Sequence, residues 1–339
     1  LRGDEFMKRE VSLKRYSKIF ILLGFMLVLT IIAPHSFPTI ANLSNVLWSV
    51  SVIGIMVSGS IFAILVGGID LSVGSMLALT GIIVVRIIRF FDYSVTGVLI
   101  GILAALLCGV LVGVVHGIII TKFKVPAFLI TFATQSIISG ISMILTNNKI
   151  LGCLEPKAFT YIGIGKLLGL PVPVFIMAAV ALISFYVLDK TQLGRYVYAV
   201  GGNPEASRLS GISDNGITML AYIFSGLTAA IGGIVLASMT QQAMASTGSG
   251  YETEVITAAV IGGVSLAGGE GTVMGAIFGA VLVGLLNNGM NLMNVPSTHH
   301  GLVKGLVIIT AVAVDIMGHQ EKKKGLLPSL FRKQGGTVQ

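Results

Sequence analysis

Charge is scarce in this chain. Of its 339 residues only 11% are charged, where a soluble domain carries about 25%. Hydrophobic residues make up 54%, and mean hydropathy is +0.94. That balance excludes a soluble domain folded around one core. Cysteine is nearly absent, with two residues, Cys108 and Cys153. One falls in an apolar run and the other in a connecting segment, so neither a disulfide framework nor a metal site is supported. No G-x-x-x-x-G-K-[ST] loop occurs, so ATP is not bound by that route. Nucleophile elbows and zinc-type histidine spacings are missing too, and His299-His300 are adjacent and project in different directions on a helix. The chain is therefore read as a non-enzyme with no cofactor and no metal. Alternating ten-residue segments are lacking as well, which excludes a membrane barrel.

Long apolar runs and 43 glycines are what the chain does have. Ten apolar segments are expected: 19–34, 46–66, 71–90, 96–120, 126–146, 172–188, 217–238, 252–267, 272–292 and 301–317. The fold class expected is all-α, a polytopic transmembrane helical bundle of about ten segments with glycine-interrupted helices. Glycine suits close helix approach in a lipid bilayer. The net charge of +8 is read as orientation and not as nucleic-acid binding. Residues 1–6 precede Met7 and are set aside as a start-site or expression remnant.

Basic residues set the topology. An even count puts both termini on one side, together with Lys122, Lys124, Lys190, Arg195 and Arg208. That side is expected to be the cytoplasm. Arg86 and Arg89 break the bias and mark 71–90 as tilted or re-entrant. The domains expected are a cytoplasmic segment 1–18, a membrane domain 19–317 with a cytoplasmic loop 189–216, and a cytoplasmic tail 318–339.

The stretch V-G-G-I-D-L-S-V-G-S, 66–75, interrupts two spanning-type segments. An acid among glycines at membrane depth is costly unless it lines protein or a watery cavity. Gly67, Gly68, Asp70, Ser72 and Gly74 are therefore expected at a helix break on a translocation pathway. Gly262 to Gly269 repeats the pattern G-G-x-x-L-x-x-G, and paired interruptions in two halves of a chain point to such a pathway. Asp70 has two readings. It accepts hydrogen bonds from N–H groups freed at Gly67-Gly68 or caps the next helix, or it touches a substrate hydroxyl or carries a proton.

Polar stripes run inside two apolar segments. Thr131, Gln135, Ser139 and Ser142 share one face, and Asn287, Asn291 and Asn294 share another. Gln135, Ser139, Asn287 and Asn291 are carried as pathway candidates. The competing reading is helix–helix contact. Glu252 and Glu254 open the eighth segment, where negative charge suits a helix start. In the loop 189–216, Asn203 caps, Pro204 starts and Gly211 ends a short helix of about two turns. Glu205, Arg208 and Leu209 give that helix a docking face.

Three motifs together carry a family resemblance: G-G-I-D-L-S-V-G-S at 67–75, G-G-N-P-E-A-S-R-L-S-G-I at 201–212 and G-G-V-S-L-A-G-G-E-G-T-V-M-G-A at 262–276. The chain resembles the permease subunits of bacterial ATP-binding-cassette importers, in the branch for ribose, arabinose, xylose and galactose. The resemblance covers Lys8 to Met317. It implies a multi-pass inner-membrane pore subunit for a ribose-like monosaccharide. It also implies separate cytoplasmic sugar-type ATPase subunits, an extracytoplasmic sugar-binding protein, and a second permease, identical or paralogous, as dimer partner. Asn203, Pro204, Glu205, Arg208, Leu209 and Gly211 match the family's ATPase-coupling region. Two other readings stay open: an ion-coupled secondary transporter using Asp70, and a same-superfamily importer for autoinducer-2, a nucleoside or a branched-chain amino acid.

Overall fold

The computed structural model describes residues 20–307, 309–310 and 313. The expected basic clusters before residue 20 and after 320, and Asp315, lie outside the described residues.

Helix α1 is described over Phe20–Ile32. It is followed by α2 (Ile40–Leu65), α3 (Val73–Phe90), α4 (Val95–Phe123) and α5 (Ala127–Thr146). Then come α6 (Lys157–Ile164), α7 (Val172–Lys190), α8 (Gln192–Gly202), α9 (Pro204–Leu209), α10 (Asp214–Thr240), α11 (Tyr251–Ile261) and α12 (Val273–Leu292). Four two-residue strands pair as short ribbons, β1 (Leu151–Gly152) with β4 (Gln242–Ala243) and β2 (Lys166–Leu167) with β3 (Leu170–Pro171). A further helix begins at Ser297, in a second compact unit that starts at Pro296. The first unit holds everything described up to Val295.

Seven of these helices, α2, α3, α4, α5, α7, α10 and α12, are long and apolar enough to cross a membrane. The expected segment 252–267 is not one of them. It is the 11-residue helix α11, which stops at Gly262, with Gly263 at φ +83. At 1.5 Å per residue it spans about half a bilayer core.

α2 is the centre of the first unit. Every residue from Val50 to Leu65 is buried, the pattern of a helix enclosed on all sides. It packs against α7, α10, α11 and α12. α2 starts at Ile40, ahead of the expected 46. Thr39 caps it, its hydroxyl accepting from the Asn42 N–H at 3.2 Å. That brings Asn42 and Asn45 into the helix.

α4 sits at the periphery. Its buried face is the stripe Gly97, Gly101, Ala105, Gly109, Gly113 and Gly117, one small residue every four. A Cβ at Gly109 would come within 2.5 Å of the Gly226 carbonyl of α10. The backbones meet because neither has a side chain between them. Leu99, Leu103, Leu107 and Leu111 cover the opposite, exposed face, as a lipid-facing surface requires. Arg86 is satisfied locally: its guanidinium donates to the Leu145 carbonyl in the last turn of α5 at 2.6 Å.

Candidate functional site

The three glycine motifs meet at one point. The Gly269 N–H donates to the carbonyl of Leu65, the last residue of α2, at 2.8 Å. A Cβ at Gly268 would lie 2.9 Å from the Gly67 nitrogen and 3.0 Å from the Gly201 carbonyl. A Cβ at Gly269 would lie 2.9 Å from Gly202. Gly67, Gly268 and Gly269 all have positive φ, at +82, +88 and +72, which only glycine adopts freely. The junction thus ties the end of α2, the end of α8 and the loop after α11 into one backbone contact. Tyr198 of α8 adds a hydrogen bond to the Gly271 carbonyl at 2.8 Å.

Asp70 lies just beyond this junction, only 5% exposed. One carboxylate oxygen accepts from the Ser72 N–H at 3.0 Å and the Ser72 hydroxyl at 2.6 Å. The other accepts from the Ser225 hydroxyl of α10 at 2.7 Å. The N–H groups of Gly67 and Gly68 do not reach it. They donate instead to Ile64 and Ala63 at the end of α2, because the positive φ at Gly67 turns the chain back on that helix end. Asp70 therefore ties the start of α3 to α10.

Gly74 and Gln135 face a different acid. Glu252, in the first turn of α11, lies against Gly74, where a Cβ would strike its carboxylate. Its Oε1 accepts from the Gln135 amide at 3.4 Å and the Gly250 N–H at 3.3 Å. Ser139 is half-buried on α5 and lines neither cavity described below. Thr131, on the same stripe, is buried and donates to the Ile69 carbonyl at 3.0 Å, which docks α5 on the helix break.

Asn287 and Asn291 line a cavity of about 460 Å³ between α2, α11 and α12. Asn45, Trp48, Glu254 and Asn288 are among its other lining residues. The Asn287 amide donates to Glu254 at 3.4 Å, and the Asn287 carbonyl oxygen is buried with no partner among the described residues. A second cavity of about 510 Å³ adjoins it, lined by Ser44, Lys166 and Pro171 among others. Asn45 and Trp48 border both. Neither was among the expected site residues: Asn45 fell before the expected segment 46–66, and Trp48, inside it, was given no role. The signal was there in the spacing of Asn42, Asn45 and Ser49 at i, i+3 and i+7, next to the one tryptophan.

The loop 189–216 holds two helices where one was expected. α8 was missed because its buried face is narrow: Gly194, Val197 and Val200. α9 spans Pro204–Leu209. The Asn203 side chain accepts from the Ala206 N–H at 3.0 Å, and Gly211 follows at φ +81. Glu205 is exposed and Leu209 is 91% exposed. Arg208 is engaged within the loop by Asp214 at 2.6 Å, which raises its pKa. It is therefore less free for a partner than its position in sequence suggests. Among the described residues, no group of three His, Cys, Asp or Glu side chains comes together to hold a metal.

A model of the permease component of branched-chain amino acid transport systems matches residues 42–312. That span holds the glycine junction and the whole lining of the cavity at Asn287 and Asn291. The chain belongs to this permease family. The permease is 42% identical over 306 residues to the ribose import permease protein of Escherichia coli K12, covering 89% of this chain and 94% of that one. It is 39% identical over 297 residues to the ribose import permease protein of Bacillus subtilis, covering 87% and 91%. Against the L-arabinose transport system permease protein of Escherichia coli K12 it is 34% identical over 309 residues, covering 91% and 92%. No solved structure matches it.

Proposed function

We propose that this permease is the pore subunit of an ATP-driven importer that moves a ribose-like monosaccharide into the cytoplasm. The full-length similarity to permeases named for ribose and L-arabinose supports the sugar. The observation that carries the coupling is the glycine junction. Through it, the end of α8, which leads directly into the exposed α9, is in backbone contact with the break after α2. A push on α9 from a partner therefore has a rigid route to the centre of the bundle.

In this reading the ATPase is a separate cytoplasmic subunit that receives α9 through Glu205 and Leu209. An extracytoplasmic binding protein delivers the sugar, and a second permease copy or paralogue completes the pore. Both termini and the loop 189–216 face the cytoplasm of a bacterial inner membrane. Asp70 acts as a structural tie, since its carboxylate accepts from the Ser72 N–H and hydroxyl and from the Ser225 hydroxyl.

The test is uptake of labelled ribose by cells that lack their own ribose transporter. Uptake is expected only when the permease is expressed with an ATPase and a binding protein. Accumulation by the permease alone under a proton or sodium gradient overturns the reading.

A further inference from the structure

We propose that the cavity between α2, α11 and α12 is a transit site for an uncharged, polyhydroxylated ligand, with Trp48 as its aromatic platform. This rests on the importer reading and names the ligand class and the residues that meet it. The Trp48 indole N–H donates to the Gly163 carbonyl of α6 at 2.7 Å. That bond fixes the ring in the wall common to both cavities. A ring so held presents a π-face to whatever lies beside it, the surface against which the C–H face of a sugar packs.

The remaining wall is amide-rich. The Glu254 carboxylate accepts from the Asn287 amide nitrogen, and the Asn287 carbonyl oxygen has no partner among the described residues. A buried carbonyl in that state is a costly group, and a ligand hydroxyl that reaches it removes the cost. Asn291, one turn further along α12, is exposed at the cavity and offers both a donor and an acceptor. Asn288 is not available in the same way, because it exchanges hydrogen bonds with Asn42. Among the described residues, no Lys, Arg or His lines this cavity. A lining rich in amides and without basic side chains among them disfavours a phosphate or the carboxylate of an amino acid. Neutral hydroxyls suit both the amides and Glu254. The neighbouring cavity, which shares only Asn45 and Trp48 with this one and is bordered by Lys166 and Pro171 of the β2–β3 ribbon, makes Trp48 the partition between two successive stations.

The chain contains one tryptophan, so the partition is its own reporter. Purified permease in lipid nanodiscs is titrated with D-ribose while indole emission is read. A saturable change is expected, with L-leucine giving none. Asn291→Ala raises the half-saturation concentration about tenfold, the loss of roughly one hydrogen bond to a ligand. Asn291 is exposed, so this variant folds even if Asn287→Ala does not. Trp48→Phe silences the signal, and Trp48→Ala raises the KM for uptake. If emission does not change, or L-leucine alone changes it, the site assignment falls. If the parent transports ribose and Asn291→Ala and Trp48→Ala do so with unchanged KM, the site falls while the importer reading stands. If the complete transporter with the parent permease takes up no sugar, the importer reading itself falls.

Discussion

Asn42 on α2 and Asn288 on α12 exchange two side-chain hydrogen bonds. Asn42 donates to Asn288 at 3.1 Å and Asn288 donates to Asn42 at 2.8 Å. Each amide satisfies the other, and the pair pins the two helices beside the cavity.

Removing either member strands the other, so Asn42→Ala and Asn288→Ala each lower stability. The double variant loses less than the sum. The coupling expected is about 0.6–1.7 kcal/mol, the range for interhelical hydrogen bonds in membranes. A double-mutant cycle on unfolding in bicelles reads it. Strict additivity contradicts the pairing.

Asp70 is held by hydroxyls and one N–H, all of them donors. Asp70→Asn keeps one oxygen acceptor and loses the second, so it retains partial uptake. Asp70→Ala keeps none and loses most of it. Complete loss of uptake in Asp70→Asn, with normal expression and assembly, points instead to an acid that must ionise.

Two adjacent glycines separate packing from composition. A Cβ at Gly201 would strike the Leu65 carbonyl, whereas a Cβ at Gly202 would meet nothing within 4 Å. Backbone cannot yield as a side chain can. Gly201→Ala is expected to cost about 1–3 kcal/mol and to lower uptake sharply. Gly202→Ala stays within about 0.5 kcal/mol of the parent. Thermal unfolding in detergent distinguishes the two, and equal effects contradict the close approach at Gly201.

Glu205 is exposed on α9 and leaves the membrane bundle untouched. Glu205→Arg is expected to weaken ATPase co-purification, or to uncouple ATP hydrolysis from uptake, without altering the amount of permease in the membrane. Arg208→Ala acts first inside the loop, through Asp214. Normal hydrolysis, co-purification and uptake in Glu205→Arg remove α9 as the coupling contact.

Cys153 lies between β1 and α6, fully buried, and burial pushes its thiol from 9.0 up to about 11, partly offset by Arg89. The folded state holds this proton more tightly than the unfolded state. Its contribution to stability is thus complete below about pH 9 and is lost as pH rises toward 11. At pH 8 maleimide labelling of Cys153 should be slow in folded protein and fast once it unfolds. Rapid labelling of the folded protein contradicts its burial.

Composition alone determined that this chain spans a membrane as helices. Scarce charge and long apolar runs leave no other way to satisfy the backbone in lipid. The glycine interruptions and the cap at Asn203 were legible too, because positive φ and helix starts demand particular residues locally. Tertiary structure decided what those features do together. Gly67, Gly201 and Gly268 are far apart in sequence, and nothing local says that their backbones touch. Asn42, Asn45 and Trp48 carried no site reading in the sequence; α12 and α11 bring Asn287, Asn288 and Glu254 to the same wall. A side chain's spacing fixes which helix face it shares. Which neighbour that face meets is set by how the helices pack, and that packing follows from the small residues buried between them.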